Sequence, residues 1–180
     1  NTAIGRSALT ADTKGSRTVA VGFGSLQAQN FSTATESYNI GVGYNAGAAV
    51  TTGKQNTIIG GLAGDALTDA DYNVAVGYKA LTTDTLGSRS VAMGYEALES
   101  QNFSTATNGY NVALGYDSGK NITTGTQNTL IGALSGDALT NADYNVAIGM
   151  NALSADTLGS NSTALGYQAL ATQNFTTATD

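Results

Sequence analysis

The sequence predicts an all-β fold, a parallel β-solenoid or β-roll with about ten turns of roughly 17–21 residues each. Three observations predict it: a long internal repeat, a five-residue phrase that recurs ten times within it, and strict columns of residue types when the phrases are aligned. A single unit of this length is too short to bury its own apolar face, whereas stacked units bury one another.

The long repeat makes Asn1, Asn73 and Asn145 equivalent. Residues 1–72 and 73–144 are identical at 44 of 72 positions without a gap, and 145–180 begins a third copy. We therefore expect a single repeat array over 1–180, made of super-repeats 1–72, 73–144 and the partial 145–180. Because the chain starts and stops inside the motif, we expect it to be an excerpt of a longer fibre.

A five-residue phrase that ends in glycine marks each turn, as in NTAIG at 1–5, NVAVG at 73–77 and NVAIG at 145–149. The spacings of successive phrases are 17, 21, 17 and 17, and this order repeats, so one turn in every four is four residues longer. We number columns from the first residue of the phrase. Column five predicts a structural glycine column, where the chain bends sharply or another backbone comes close: Gly5, Gly22, Gly43, Gly60, Gly77, Gly94, Gly115, Gly132, Gly149 and Gly166.

The other columns of the phrase predict a strand. Column two is always Val, Ile or Thr, and column four is always Val, Ile, Leu or Met. Since alternate side chains of a strand share a face, columns two and four should form one apolar stripe, with small groups of columns one, three and five opposite. Column one, mostly asparagine, predicts an amide ladder. The regular glycines argue against helices.

Columns three and six vary together. Column six is usually aromatic, but it is Gly61 and Ala133 in the two turns where column three is Ile58 and Leu130. Packed interiors conserve volume, so we expect columns three and six to compete for one space.

The composition excludes several functions. The chain has no Cys, His, Pro or Trp, and its net charge is −6 with scattered basic residues, which argues against a nucleic-acid partner. Without His or Cys, the usual general bases and nucleophiles of enzymes are missing, and we expect neither catalysis nor a cofactor. No apolar run approaches the roughly 20 residues of a membrane span.

The carboxylates are the remaining candidates for chemistry. Asp65, Asp69 and Asp71 cluster in turn four, and the copy in turn eight keeps Asp137 and Asp143 but has Asn141. Paired carboxylates can cleave glycosides and oxygen clusters can hold Ca²⁺. Aspartate is also a common turn residue, and recurrence at copied positions favours a scaffold role over an active or metal site.

Two columns of aromatic residues accompany the phrase. One follows the glycine, as Tyr44, Tyr78, Tyr95, Tyr116 and Tyr167, and the other precedes column one, as Tyr38, Tyr72, Tyr110 and Tyr144. Such residues could stack on sugars, but packing with the hydroxyl in water is the interpretation that we favour.

The four-residue insertion creates nearly the same loop three times, at 29–35, 101–107 and 173–179. Bulged loops on a rigid scaffold often bind partners, so we take as candidate contact residues Asn30, Phe31, Asn102, Phe103, Asn174 and Phe175. The alternative is that the three phenylalanines turn inward and seal a wider turn.

Asn-x-Ser/Thr triplets begin at Asn30, Asn102, Asn121, Asn161 and Asn174. They matter in a source that glycosylates proteins, and they also arise by chance in a chain this rich in Asn and Thr.

The phrase SVAMG at 90–94, with NVAIG and NVAVG, resembles the head repeats of YadA-like trimeric autotransporter adhesins, and similar repeats occur in bacteriophage tail fibres. The family unit is shorter than the turns of this chain. The resemblance implies a left-handed parallel β-roll, three chains side by side, and display on a cell or virion surface. It implies binding to a host surface or matrix component or a glycan, without a cofactor.

We therefore expect a non-enzymatic structural and adhesive fibre segment that forms a homotrimer outside the cell. The stripe of small residues would let neighbouring chains approach closely. Two alternatives remain: a flat-faced solenoid that binds ice or a polysaccharide, and a carbohydrate-cleaving phage tail fibre. A Thr ladder would favour the first, but column two is Thr only in turns one, four, eight and ten.

Overall fold

The structure is a computed structural model that describes residues 1–175 and 177. Within them the regular elements are all β-strands. In chain order the strands are Thr2–Ile4 (β1), Gly15–Ser16 (β2), Val19–Val21 (β3), Thr35–Glu36 (β4), Ile40–Val42 (β5), Thr57–Ile59 (β6), Val74–Val76 (β7), Gly87–Ser88 (β8), Val91–Met93 (β9), Thr107–Asn108 (β10), Val112–Leu114 (β11), Thr129–Ile131 (β12), Val146–Ile148 (β13) and Thr163–Leu165 (β14).

The three-residue strands form one parallel sheet, with the order β1-β3-β5-β6-β7-β9-β11-β12-β13-β14 in the described residues. The register places column on column: Val19 pairs with Thr2 on one side and with Ile40 on the other, across the longer turn. The two-residue strands pair separately, β2 with β4 and β8 with β10. The prediction of an all-β parallel solenoid of about ten turns is confirmed.

The prediction that the stripe of small residues faces outward, toward neighbouring chains or water, is wrong. Column three is completely buried in the strands β3, β7, β9, β11 and β13, whereas Ile40, Ile59 and Met93 of columns two and four are exposed. The small residues face inward because the narrow turn has little room behind the sheet. The β-branched residues that form the strands therefore lie on the outside.

The asparagines of column one are buried and bridge neighbouring turns. The side-chain carbonyl of Asn73 accepts a hydrogen bond from the Ser90 backbone N–H at 2.9 Å, and its amide donates to the Gly87 carbonyl at 2.8 Å. Asn56 and Asn145 make the same two kinds of bond. The predicted ladder therefore exists, but it runs mainly through the backbone, and it satisfies polar groups inside a narrow core.

Columns nine and twelve alternate in filling the core, a relation that the sequence analysis did not recognise. Column nine is Leu in turns one, two, five, six, nine and ten, where column twelve is Asp or Gln. Column nine is Gly in the other four turns, where column twelve supplies an aliphatic side chain: Val50, Leu67, Ile122 and Leu139. Columns nine and twelve together thus contribute one large apolar group per turn.

The predicted competition between columns three and six is wrong. Ile58 and Leu130 are buried, whereas the aromatic residues of column six are exposed on the other side of the sheet. The space of Ile58 is shared instead with column nine, since a Cβ on Gly47 would lie 2.8 Å from Ile58 Cδ1. The interior volume is conserved by columns three, nine and twelve together, and column six does not take part.

The glycines of column five lie above one another along one edge of the sheet. A Cβ on Gly77 would lie 2.2 Å from the Gly94 carbonyl oxygen, and the φ of Gly77 is +136°. Side chains are excluded there by both the neighbouring backbone and the backbone conformation.

The leucines of column nine adopt the left-handed conformation, as Leu26 (φ 47°) and Leu98 (φ 51°) do. This conformation costs about 1–2 kcal/mol for an L-residue. Both side chains are fully buried, and burial of a leucine contributes about 1.5–3 kcal/mol. The burial offsets the backbone strain, so leucine can occupy a position that otherwise favours glycine.

Candidate functional site

The outer surface of the sheet is largely apolar, interrupted by the Thr residues of column two and by Arg, Gln and Asn residues at its borders. Along one turn the exposed positions alternate, so Tyr38, Ile40 and Tyr44 are exposed while Asn39 and Gly41 between them are buried. The last residue of each turn and columns two, four and six therefore share this side, which we call the sheet face. It presents an aromatic column at one border, two aliphatic columns in the middle and a second aromatic column at the other border.

The aromatic column that follows the glycines forms stacks along the fibre axis. The ring centroids of Tyr78 and Tyr95 are 5.6 Å apart, and those of Tyr95 and Tyr116 are 5.3 Å apart, with nearly parallel planes. Both ring faces of Tyr95 are therefore occupied by its neighbours, which leaves the edge and the hydroxyl for a partner. This geometry supports packing rather than the stacking of sugars on the rings.

The second aromatic column alternates with arginine and glutamine. Arg89 lies over the Tyr72 ring, with its guanidinium carbon 4.6 Å from the centroid, and Arg17 lies over Tyr38 at 5.4 Å. These cation–π contacts hold the long side chains along the border of the sheet face.

The longer turns place their phenylalanines inside. Phe31 is 6% exposed and Phe103 is 4% exposed, whereas Asn30 and Asn102 are exposed. Phe31 and Phe103 therefore adopt the inward position, which the sequence analysis gave as the alternative to a contact role. The exposed parts of these loops are instead the tips at 32–34 and 104–106.

In the third loop, Asn174 and Phe175 are both exposed, Phe175 by 40%. Residues 176 and 178–180 of that loop lie outside the described residues.

A buried aspartate anchors the second and the third of the longer loops. Asp84 Oδ1 accepts hydrogen bonds from the backbone N–H groups of Gly87 at 2.9 Å and Phe103 at 3.2 Å, and Oδ2 accepts from Gln101 at 2.6 Å. Gln101 in turn accepts from Asn111 at 2.8 Å. Burial raises the pKa of Asp84 above its usual value, although these bonds oppose the shift.

Asp156 is the equivalent residue one super-repeat later and makes the same kinds of bond to Gly159, Gln173 and Phe175. Desolvation is the largest influence on Asp156 and acts to raise its pKa, but the hydrogen bonds outweigh it and the pKa is lowered. Both carboxylates are fully buried, so the same kinds of partner accompany opposite pKa shifts at the two positions.

A ladder of Thr and Asn runs along the chain at column thirteen, and the sequence analysis missed it. We call this the polar face: Thr13, Asn30, Thr51, Thr68, Thr85, Asn102, Thr123, Thr140, Thr157 and Asn174. Hydroxyls bond from turn to turn, as Thr85 Oγ1 does to Asn102 Oδ1 at 3.2 Å and Thr140 Oγ1 to the Thr157 carbonyl at 3.0 Å. The signal was present in the sequence, since every turn has Thr or Asn there.

The polar face lies opposite the sheet face. Leu67 and Leu139 of column twelve are buried in the same core as Ile58 and Leu130 of the sheet. Column thirteen is the next residue along the chain, and its side chains are exposed or half-buried. The solenoid therefore has one apolar side and one polar side.

Four of the five aspartates of turns four and eight are bonded into the stack, whereas Asp137 Oδ1 is buried without a partner among the described residues. Asp71 Oδ1 accepts from the Lys54 backbone N–H at 2.7 Å, Asp69 from the Thr52 hydroxyl at 2.6 Å, and Asp143 from the Thr126 backbone N–H at 2.6 Å. Thr82 donates to Asp65. Within the described residues, no group of three or more acidic, His or Cys side chains could hold a metal ion.

The second super-repeat carries a cluster of charges that the first does not have. Lys120 Nζ lies 3.6 Å from Asp117 and 3.7 Å from Glu99, and it also bonds Glu96; Lys79 Nζ lies 3.4 Å from Glu99. The hydrogen bond from Lys120 lowers the pKa of Glu96 and raises that of Lys120. The equivalent residues of the first copy are uncharged: Ser7, Gly24, Gln27, Asn45 and Ala48.

The comparison with protein families identifies the repeat. Two segments, 74–97 and 158–179, match the model of the YadA head domain repeat. These two segments of the chain are similar to YadA head repeats. The resemblance carried by SVAMG and NVAVG is thereby confirmed, and YadA head repeats indicate an adhesin-type surface fibre segment of a non-enzymatic class. No curated protein and no solved structure matches the chain.

The first matched segment contains β7, β8 and β9, with Gly77 after β7 and Gly94 after β9. The matched segment therefore covers most of one turn of the solenoid and the start of the next. Helices of the length and apolarity that a membrane span requires are not found among the described residues.

Proposed function

We propose that this chain is part of an extracellular adhesive fibre on a cell surface, in which three parallel copies pack through their sheet faces. The observation that carries the proposal is the largely apolar sheet face on a chain whose other side is polar. YadA head repeats belong to trimeric adhesins, and this chain offers one face that would line the axis of such an assembly.

The size of the sheet face supports an interface. Ten strands at a spacing of about 4.8 Å make it about 45 Å tall, and seven residues across at about 3.3 Å each make it about 20 Å wide. The resulting area, on the order of 900 Å² with its polar residues included, is close to the roughly 800 Å² that each partner buries in a stable protein complex.

With the sheet faces together, the polar face and the loop tips at 32–34 and 104–106 would point away from the bundle axis. A host surface or matrix component or a glycan would meet these groups first. Rows of equivalent loops can then engage a repetitive target several times at once, which strengthens weak contacts through avidity.

The assembly is tested by light scattering of the chain fused to a neutral folded tag, with Val91→Glu as the test variant. The wild type should contain three chains, and the variant should dissociate because it places a carboxylate in an apolar interface. Thr85→Glu on the polar face is the matched control and should remain trimeric. A wild-type chain that is folded and monomeric on dilution would reject the proposal.

The adhesive role is tested separately by attachment to a host surface. Replacing Ser32, Thr33 and Ala34 by glycine, together with 104–106, changes the loop tips and keeps the buried Phe31 and Phe103. Loss of attachment by a folded trimer would make the tips the contact sites. Unchanged attachment would remove the loops from consideration, and replacement of Thr51, Thr68 and Thr140 by serine would then test the ladder.

A further inference from the structure

The ladder asparagines and the asparagines that begin Asn-x-Ser/Thr triplets differ in burial. The ladder asparagines of column one are completely buried from Asn39 to Asn145, and none of them begins an Asn-x-Ser/Thr triplet. The asparagines that do begin such a triplet are all exposed: Asn30, Asn102, Asn121, Asn161 and Asn174. The triplets are therefore confined to positions where a large group can be attached without entering the core.

Three of the five triplets share one position on the polar face. Asn30, Asn102 and Asn174 occupy column thirteen of turns two, six and ten. Four turns at about 4.8 Å each separate neighbours by roughly 19 Å. A group attached there would project away from the sheet face and would not obstruct packing through it.

Hydrogen bonding leaves the reactive nitrogen of these asparagines free. Asn30 Oδ1 accepts from the Thr13 hydroxyl at 3.3 Å, and Asn102 Oδ1 accepts from the Thr85 hydroxyl at 3.2 Å. Neither Nδ2 atom has a hydrogen-bond partner among the described residues. The threonine of the preceding turn thus holds the carbonyl and turns the amide nitrogen to solvent.

The remaining two triplets have a different environment. Asn121 Nδ2 donates to the Asp137 carbonyl at 2.8 Å, so its nitrogen is already used within the stack. Asn161 occupies column seventeen at the border of the sheet face, beside Tyr144 of the previous turn. A substituent at Asn161 would lie at the apolar surface.

We propose that Asn30, Asn102 and Asn174 are acceptor sites for N-linked glycosylation on the polar face, with a nucleotide-activated hexose as the donor. The Nδ2 nitrogen attacks the anomeric carbon of the donor and forms a C–N bond. The bond between the anomeric carbon and the phosphate oxygen breaks, and its electron pair leaves with the nucleoside diphosphate. The nitrogen releases one proton, and the amide keeps one hydrogen.

The hydroxyl at the third position of the triplets at Asn30 and Asn102 is available as well. Ser32 and Ser104 are exposed at the loop tips, while Phe31 and Phe103 between them are buried and fix the loop. The acceptor nitrogen and the recognised hydroxyl are therefore held on one surface by a buried ring. The proposal does not depend on the adhesive role.

The test incubates the folded chain with a soluble N-glycosyltransferase that accepts Asn-x-Ser/Thr and with UDP-glucose, and reads the result by intact mass and peptide mapping. A short peptide with the same triplet verifies that the enzyme is active. We expect one hexose at each column-thirteen site and at least tenfold less at Asn121. The modified chain should keep its unfolding midpoint.

Matched variants separate the sites. The triple variant N30Q, N102Q and N174Q should lose the modification, while Asn121→Gln should retain it. Ser32→Ala should abolish modification at Asn30 alone, because it removes the recognised hydroxyl and leaves the acceptor in place. A folded chain that stays unmodified while the peptide is glycosylated overturns the proposal, as does equal modification of Asn121.

Discussion

Replacing Asn73 by alanine tests whether the buried amide ladder stabilises the solenoid. Asn73 is fully buried, accepts a hydrogen bond from the Ser90 N–H and donates one to the Gly87 carbonyl. Alanine would leave both backbone groups buried without a partner. An unsatisfied buried polar group costs about 1–3 kcal/mol, so the two together should lower the free energy of unfolding by about 2–6 kcal/mol.

Asn73→Ser refines this test. Serine and threonine occupy column one in turns two, six and ten, but there a glutamine of column twelve supports the hydroxyl, as Gln101 does for Ser90 at 3.2 Å. Turn five has Asp84 at column twelve, so serine at position 73 would have no such support. We expect Asn73→Ser to lower the free energy of unfolding by at least half as much as Asn73→Ala does.

The assay is urea unfolding followed by circular dichroism at one protein concentration, since assembly shifts the apparent stability. Asn108→Ala is the control, because Asn108 is exposed and only accepts a hydrogen bond from Arg89; its effect should stay within about 0.5 kcal/mol. A loss below about 1 kcal/mol for Asn73→Ala, or one equal to that of the control, would refute the reasoning.

Three further predictions concern packing and pH. Gly77→Ala should cost several kcal/mol more than Gly166→Ala, because a Cβ at Gly77 meets the Gly94 carbonyl whereas a Cβ at Gly166 meets nothing within 4 Å; equal losses in urea unfolding would show that only backbone strain matters. Ala92→Leu should lower stability by about 1–3 kcal/mol because Ala92 is fully buried, with Ala106→Leu at an exposed loop tip as the neutral control. The raised pKa of Asp84 means that its contribution to stability is greatest below the unfolded-state pKa of about 3.9 and falls as pH rises through the folded-state pKa. The stability difference between wild type and Asp84→Asn should therefore shift against the wild type from pH 3 to pH 7, and a difference that does not change with pH would contradict this.

The sequence was sufficient for the architecture because the repeat fixes it. Parallel stacking of equivalent residues follows from ten phrases at nearly constant spacing, and the register of Val74 with Thr57 and Val91 shows that stacking. Which columns face the interior of the solenoid could not be predicted in the same way. Alternation assigns columns two and four to one side of the strand but does not say which side is the interior.

The usual expectation that apolar residues face inward gave the wrong answer here. In this narrow solenoid the interior behind the sheet is already filled by Leu26, Leu67 and their equivalents from the opposite side of the turn. Alanine is the largest residue that most turns accept at column three. The paired pattern of columns nine and twelve, Leu with Asp or Gln and Gly with an aliphatic residue, was visible in the sequence and would have indicated this.

The candidate site was only partly accessible from the sequence. The position of Phe103 depends on whether a buried acceptor exists for the loop backbone, and Asp84 provides it through the Phe103 N–H. The polar face required knowledge of which residues follow the core-forming column. A Thr ladder was sought at column two, where the sheet face lies, while the continuous ladder of Thr and Asn is at column thirteen.

The super-repeat also has a consequence for how such fibres change in length. Recombination between two copies in register would add or remove four turns, about 19 Å of fibre, and every new junction would repeat a pair of turns that the chain already contains. Loss of turn four alone would instead place Val50 beside Asp84, a neighbour pair that the present stack never has. Expansion or contraction of the gene by whole super-repeats would therefore leave the contacts between neighbouring turns unchanged. Length variants that differ by other numbers of turns should be selected against.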